Sequence, residues 1–215
     1  MLDRLSFKDI PTVTLVLVVV SVLTYLAWAL GMDRQVQIAF SISAYRVLPG
    51  FETLTNAIPE VMQGQVWRLA TPMFIHFNIM HIVFNMLCML VLAGPIEKKY
   101  GKTYFILMVL VIAIVSNVAQ LMYGGSYFTY GGPSFGGMSG VVYGIFGYLW
   151  MQSKFNPWSG LMIHDQEIMF IMIWFVACWL GLLGPIANMA HTVGLLGGLA
   201  WGYGHATYVN YRRKR

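Results

Sequence analysis

Cysteine and charge are both scarce in this chain. Cys88 and Cys178 are its two cysteines, and both lie within apolar runs, so the sequence offers neither a disulfide framework nor a CxxC metal site. We interpret both as small buried hydrophobic side chains. Charged residues make up 10% of the chain and hydrophobic residues 58%, a balance that excludes an ordinary soluble domain and is typical of a membrane protein.

Long uncharged stretches account for this composition. The first, residues 13–30, approaches the roughly 20 residues that cross the hydrocarbon core of a bilayer. A cleaved signal peptide with its site at 27–29 is the alternative. We favour a retained helix, because this run exceeds a signal core of about 7 to 15 residues and is followed by five more. Those five runs cover residues 79–93, 103–122, 139–151, 168–183 and 188–209.

We therefore predict an all-α, polytopic fold: one membrane domain over residues 1–215 with six transmembrane helices. Run 139–151 is the shortest, which would leave its outer end below the lipid surface and admit water. The longest connection is an outer loop, residues 31–71, and its aromatic content indicates a segment along the outer interface. We expect Trp67 and Arg68 in this loop to be anchors at headgroup level.

The distribution of lysine and arginine predicts the orientation. Short cytoplasmic loops collect basic residues, so the N-terminal segment 1–12 and the basic tail 211–215 are both predicted to be cytoplasmic. The net charge of +5 then faces anionic membrane lipid and is not a nucleic-acid patch. Ten basic residues fall inside and three outside: Arg4, Lys8, Lys98, Lys99, Lys102, Lys154, Arg212, Arg213, Lys214 and Arg215 against Arg34, Arg46 and Arg68.

Polar residues open three of the predicted spans. The second, fourth and sixth spans all run from outside to inside, so polar groups near their starts would reach a similar outer depth. Such groups are costly in an apolar run and suggest function. The pairs are His81 with Asn85, Ser139 with Tyr143, and Asn188 with His191. The first two pairs are spaced i, i+4, which puts each on one helical face.

Glycines at four-residue spacing would let two of these spans touch. Gly140 and Gly144 lie on the fourth span, and Gly194 and Gly198 lie on the sixth. Small residues at this spacing permit close backbone approach, although they are more often a simple packing device. A glycine seam would bring Ser139 and His191 to the same end of the contact, where an imidazole can remove the serine proton.

A serine and histidine dyad is the chemistry that these residues favour. None of the eight acidic residues falls in the outer half of a span, so no carboxylate completes a triad, and Tyr143 is expected to orient His191. The Ser139 backbone N–H, His81 and Asn85 would donate to the oxyanion. His76 is better explained as a loop-bracing residue. We assign no chemical role to His164 or His205. We expect no metal or other cofactor, because H-E-x-x-H is missing.

Four motifs, in order, resemble those of the rhomboid intramembrane serine proteases of bacteria. They are Trp67-Arg68, the stretch from His76 through His81 to Asn85, the run Gly136-Gly137-Met138-Ser139-Gly140-Val141-Val142-Tyr143-Gly144, and Ala190-His191-x-x-Gly194-x-x-x-Gly198. The resemblance covers nearly the whole chain. The serine run together with the histidine run is a far more specific signal than a lone GxSG.

The resemblance implies cleavage of transmembrane substrates near the outer face of a bacterial inner membrane. Ser139 would be the nucleophile, His191 the base, and Gly136 and Gly137 the turn that seats the serine. The fifth span would act as a lateral gate for substrates with helix-destabilising segments. The chain departs from the resembled family at two positions. Pro72 stands where several relatives carry histidine, and Phe155 stands near where some carry an arginine that faces the equivalent of Glu97. Neither departure touches the proposed dyad, so both concern accessory packing only.

Two other readings remain. A non-proteolytic rhomboid-like adaptor would bind transmembrane clients without cutting them, but adaptors of the resembled family typically lose the serine or the histidine, and this chain keeps both. A small-solute channel is the other alternative. Against it, the polar residues stop in the outer third of the spans and give no continuous lining.

Overall fold

The computed structural model describes residues 10–43, 45–48, 51–54, 58–123, 134–184 and 186–215. By class the fold is all-α, with one small hairpin. Short 3-10 turns cover Val66–Leu69, Thr71–Phe74 and Pro157–Ser159. The helices are α1 (Thr12–Ala27), α2 (Asp33–Phe40), α3 (Pro59–Met62), α4 (Ile79–Tyr123), α5 (Ser139–Phe155), α6 (Asp165–Trp179) and α7 (Asn188–Arg213).

Each of the six predicted apolar runs falls on a helix, although the bounds of the helices differ from those of the runs. α4 carries two runs and is broken at Gly101, whose φ of 85° and ψ of 167° are not helical. The predicted connection 94–102 is therefore wrong in extent, because the helix continues through Pro95 to residue 100. The expectation that the serine-bearing run is the shortest is also wrong, because α5 has 17 residues and α6 has 15.

Length and hydropathy single out two helical segments as able to cross a membrane, Thr12–Phe40 and Ile79–Tyr123. Exposed apolar side chains occur on these two segments and on α6 and α7 as well. Leu23 on α1, Leu107 on α4 and Ile173 on α6 are each more than half exposed, and Leu196 on α7 is too. An apolar surface of this kind is unusual for a protein that faces water on all sides.

The long outer connection has structure of its own. α1 leads through a π-helical turn, Trp28–Met32, into α2, and Gly31 relieves the change of direction with a φ of 86°. Strands β1 (Tyr45–Leu48) and β2 (Phe51–Leu54) then form an antiparallel hairpin with Leu48 paired to Phe51. A Pro-Gly dipeptide between two apolar stretches is a strong turn signal, although residues 49 and 50 lie outside the described part of the chain.

α5 is the centre of the bundle. All residues from 141 to 149 are buried, which fits a helix that is apolar all round rather than on one stripe. It packs most extensively against α7 and also contacts α4. The residue that begins α5, Ser139, therefore lies where three helices meet.

Glu97 has a structural role that its position in the sequence does not indicate. The carboxylate is buried and accepts the backbone N–H of Val13 at 2.8 Å and that of Thr14 at 2.7 Å. The Thr14 hydroxyl donates to the same group at 2.8 Å. α1 has no side-chain cap of its own, so a carboxylate from α4 satisfies its free N–H groups and complements the helix dipole.

Replacing Glu97 with glutamine should destabilise the protein by about 1.5–3 kcal/mol, because charge-assisted hydrogen bonds to the start of α1 are lost. Thermal unfolding in detergent measures the change. Thr14→Val is the matched control: it removes only the hydroxyl bond and should cost about 1 kcal/mol. An unfolding temperature for Glu97→Gln equal to that of the wild type would contradict this role.

A partly buried polar cluster joins α4, α5 and α7 near the middle of α5, about two and a half turns from Ser139. Tyr148 Oη lies 2.6 Å from His205 Nδ1, and Tyr104 Oη lies 2.9 Å from the same nitrogen. Trp201 Nε1 donates to Tyr104 Oη at 3.0 Å. The sequence assigned His205 no chemistry, and these bonds give it a packing role between three helices.

Candidate active site

The turn before α5 presents Ser139 as its first helical residue. Gly137 has a φ of 122°, which favours glycine, and its N–H donates to the Pro72 carbonyl at 3.0 Å. A Cβ on Gly136 would lie 2.6 Å from Ile75 Cβ. Both glycines are therefore required by the local geometry, since one provides the backbone angle and the other the close approach to residue 75.

His191 faces Ser139. Its Nε2 lies 2.7 Å from Ser139 Oγ, across 52 residues of sequence, in the range of a good hydrogen bond. The ring is only 5% exposed, and among the described residues its Nδ1 has no hydrogen-bond partner. With Nε2 accepting, the serine O–H donates to the imidazole, which is the arrangement needed for proton removal. The predicted contact is present, and its catalytic role remains a prediction.

A glycine seam between α5 and α7 sets this contact. A Cβ on Gly194 would overlap the Gly140 carbonyl oxygen, and one on Gly198 would overlap the Gly144 carbonyl oxygen. The two helices are thus in backbone contact over a full turn, and no larger side chain fits there. Because Ser139 and His191 stand at one end of this contact, the spacing of the seam holds their side chains together.

Tyr143 lies against the histidine ring. The two ring centroids are 4.7 Å apart with an interplanar angle of 42°, and Phe175 of α6 packs edge-on to Tyr143 at 5.4 Å. The contact with His191 is a ring contact rather than a hydrogen bond to Nδ1. Within the described part of the chain, ring packing on Tyr143 and the contact with Ser139 orient the imidazole.

His81 and Asn85 lie in the first two turns of α4, on one face as predicted. The His81 imidazole faces Gly137, whose position places it beside the serine: a Cβ there would be 2.5 Å from His81 Nε2 and 3.6 Å from Ser139 Oγ. Asn85 Nδ2 donates to the His81 carbonyl at 2.8 Å, so one of its two amide hydrogens is used within the helix.

His76 braces the serine turn, as its sequence context favoured. The Phe74 carbonyl, 3.1 Å away, can only accept, so Nδ1 carries the proton and Nε2 is left to accept the Met138 N–H at 3.5 Å. The ring is fully buried and packs against His81 with centroids 4.9 Å apart. Burial, with His81 second, lowers the pKa of His76 to about 3, so this ring stays neutral.

Other polar contacts near the site were not found from the sequence. Gln120 Oε1 accepts the Ala190 N–H at 3.1 Å and thereby ties α4 to the start of α7. Asn78 Oδ1 accepts the His81 N–H at 2.8 Å as an N-terminal cap of α4. An asparagine just before an apolar run is a recognisable cap signal, whereas nothing local in the sequence marks Gln120.

Trp67 and Arg68, both predicted as headgroup anchors of the outer loop, differ in their exposure. Trp67 is 54% exposed, which is compatible with an interfacial position. Arg68 is 6% exposed and donates to the carbonyls of Ser41 at 2.9 Å and Ile38 at 2.8 Å. The prediction of Arg68 as a headgroup anchor is therefore wrong. Its guanidinium forms hydrogen bonds within the loop, because buried carbonyls there need donors.

The free thiols and possible metal ligands add nothing to the site. Cys178 is buried and Cys88 is partly buried, and both are free. No group of three or more His, Cys, Asp or Glu side chains within the described ranges has an arrangement that would hold a metal ion.

Comparison with known proteins identifies the family of this chain. The model of the Rhomboid domain matches residues 63–207, which contain Ser139, His191, His81 and the glycine seam. The chain belongs to the rhomboid family. It is also 34% identical over 192 residues to proteins called Rhomboid protease GlpG from Salmonella choleraesuis (strain SC-B67), Salmonella newport (strain SL254) and Salmonella typhimurium (strain LT2).

The similarity to these proteins is of the GlpG type and covers 89% of this chain. The chain spans 62% of the length of the relatives. The Ser139–His191 contact is present alongside the departures at Pro72 and Phe155. The Pro72 carbonyl accepts the Gly137 N–H, and Phe155 packs on Tyr203 of α7 with ring centroids 5.1 Å apart.

For the cleavage reaction proposed below, replacing Gly137 with alanine should lower the rate by about 10²-fold, because the new Cβ displaces His81 from the serine. The measurement is the initial rate of reporter cleavage at matched protein concentration. Gly160→Ala is the control: Gly160 also has a positive φ, of 72°, but no atom lies within 4 Å of its Cβ position. An equal loss of cleavage rate in both variants would show that backbone strain causes the effect, and it would contradict the role of the contact with His81.

Proposed function

We propose that this protein is an intramembrane serine endopeptidase that cleaves transmembrane substrates near the outer membrane face. The observation that carries the proposal is the 2.7 Å contact between Ser139 Oγ and His191 Nε2 inside an apolar helical bundle. Membership of the rhomboid family and the similarity to rhomboid proteases support it. The same contact favours an enzyme over a client-binding adaptor, which has no need of a paired nucleophile and base.

The proposed enzyme is a multi-pass protein of a bacterial inner membrane. α1, the two halves of α4, α5, α6 and α7 would be its six transmembrane helices, with both termini in the cytoplasm. The excess of lysine and arginine in the inner segments supports this orientation. Residues 1–9 of the N-terminal segment lie outside the described part of the chain, so the charges of Arg4 and Lys8 enter from the sequence alone.

In the proposed reaction His191 takes the proton from Ser139 as the serine oxygen attacks the scissile carbonyl. The imidazolium then gives this proton to the departing amine, and a water molecule repeats the sequence on the acyl-enzyme. The Ser139 N–H, which lies at the start of α5 outside the helical ladder, is one oxyanion donor. His81 and Asn85 are the others, and each donor of this kind is worth about 2.7 to 4 kcal/mol in the transition state.

Substrate would enter between α4 and α6. Only Ile171 and Cys178 of α6 are fully buried, so few core contacts hold this helix. Its outer half is closed by Trp174, whose ring stacks on Phe84 of α4 at 5.1 Å. A substrate helix with helix-destabilising residues would unwind here, because an intact helix shields the scissile carbonyl and freed backbone groups need partners.

Reaction with a fluorophosphonate probe tests the proposal directly. The wild-type protein, purified in detergent, should be labelled at Ser139, and His191→Ala should lose the label because the serine is no longer activated. His205→Ala is the matched control, since it removes a partly buried histidine of the same helix at the inner end. Failure to label the wild type would favour an adaptor over an enzyme.

A further inference from the structure

The inner ends of α5 and α7 form an exposed surface in which cations and aromatic rings are combined. We call it the basic–aromatic patch and define it as Lys154, Trp158, Arg212, Arg213, Lys214 and Arg215. Every member is exposed, and Trp158 is the extreme case, with 77% of its surface accessible. The reaction proposed above uses none of these residues.

Aromatic rings hold two of the guanidinium groups in place. Arg213 lies over the Trp158 ring, with 5.6 Å between the guanidinium carbon and the ring centroid. Arg215 lies over the Tyr211 ring at 4.6 Å. Cation–π contact restrains an arginine without neutralising it, so the charge remains available for an external partner.

Two further contacts join the segments that carry the patch. Asn210 Nδ2 donates to the Phe155 carbonyl at 2.7 Å, and the Phe155 and Tyr203 rings meet edge to face with centroids 5.1 Å apart. The last turns of α7 are therefore fixed to the end of α5. The patch is one surface rather than a loose tail beside a loop.

The charge of the patch is not balanced by acidic neighbours. Across the ranges that the structure describes, no carboxylate forms an ion pair with these five cations. Of the nearby acids at the start of α6, Glu167 is engaged by the His164 N–H. Glu97 of α4, another acid within the described ranges, is buried against the start of α1. An anionic partner would thus meet five positive groups with little competition.

We propose that the basic–aromatic patch is a binding surface for anionic phospholipids of the inner leaflet. Arg212 and Arg213 would bind the phosphodiester, whose oxygens fit a guanidinium fork, and the Trp158 indole would lie at headgroup level beside them. The proposal rests on the proposed orientation of the helices but not on proteolysis. It goes beyond a lipid environment in general, because it assigns headgroup preference to one end of the α5–α7 pair.

Spin-labelled phospholipids measure this preference. The protein is reconstituted in phosphatidylcholine vesicles, and the association of labelled phosphatidylglycerol relative to labelled phosphatidylcholine is determined by electron paramagnetic resonance. The wild type should prefer phosphatidylglycerol several-fold, and the preference should shrink as NaCl is raised from about 50 to 500 mM. Arg212→Gln with Arg213→Gln should bring it close to parity, because the two guanidinium groups proposed to bind the phosphodiester are then missing.

The control is a double variant with the same loss of charge on the same side, Lys98→Gln with Lys102→Gln. Both lysines are exposed and lie outside the patch, so this protein should keep most of the preference. Equal losses in the two double variants would mean that net charge and not a site is responsible, which overturns the proposal. A wild type without preference overturns it too.

Two further variants separate the contributions. Trp158→Ala keeps every charge and should still lower the preference, because Arg213 loses its restraint; an unchanged preference would remove the ring from the proposed site. Ser139→Ala should bind lipid as the wild type does, whether or not the wild type is a protease. A failure of the lipid proposal is thereby distinguished from a failure of the proposed function.

Discussion

Replacing Ser139 with alanine should reduce cleavage of a reporter transmembrane substrate to background, a fall of at least about 10⁴-fold. The reason is that no other hydroxyl takes the place of Ser139 Oγ, which lies 2.7 Å from His191 Nε2. The oxyanion donors and the bundle remain, so substrate binding should change little. The measurement is the initial rate with purified protein in detergent, with the product identified by mass spectrometry.

The matched control for this experiment is Ser21→Ala. Ser21 is a buried serine of α1 whose hydroxyl donates to the Leu17 carbonyl of its own helix, and it has no part in the proposed chemistry. This variant should cut the reporter at close to the wild-type rate. A Ser139→Ala protein that still cuts the reporter would disprove the assigned nucleophile and, with it, the dyad.

Replacing Gly198 with alanine is expected to have the largest effect on stability. The new methyl group would overlap the carbonyl oxygen of Gly144, so α5 and α7 must move apart along their shared face. Overpacking of a core typically costs 1–3 kcal/mol, and a backbone contact cannot rotate away as a side chain does, so we expect about 3 kcal/mol or more. Separation of the helices also lengthens the Ser139–His191 contact, so cleavage should fall with stability.

Gly197→Ala provides a neighbouring control on the same helix. No atom lies within 4 Å of the Cβ position of Gly197, and alanine has the higher helix propensity, so this variant should be as stable as the wild type or slightly more so. Thermal unfolding in one detergent compares the two proteins. Similar unfolding temperatures for Gly197→Ala and Gly198→Ala would show that the glycine seam does not hold the helices.

The sequence predicted the site best where a pattern is short and repeats along one helix. The four-residue spacing of Gly140, Gly144, Gly194 and Gly198 indicated which faces meet, and the structure has those backbones in contact. The positions of His81, Ser139 and His191 near the starts of their runs predicted a common depth, which their contacts match. Both inferences need only a helical period and a direction for each span.

The roles of single polar side chains were harder to predict. Arg68 was expected with Trp67 at the lipid headgroups, as part of a loop along the outer interface, yet its guanidinium is buried against the carbonyls of Ser41 and Ile38. The hairpin in the outer loop was not predicted either, although a Pro-Gly dipeptide in the sequence is a turn signal. Strand pairing depends on the register between two segments, and neither segment specifies that register alone.

The sequence by itself determined the apolar helices, the charge asymmetry and the chemical groups of the candidate site, because hydrophobic runs, helical spacing and residue type are local properties. The tertiary structure decided which distant groups satisfy one another: Glu97 with the start of α1, His76 with Met138, and Tyr148 with His205. In an apolar interior a polar group without a partner is costly, so most such groups have one. That partner depends on the packing of helices far apart in sequence, which no local pattern records.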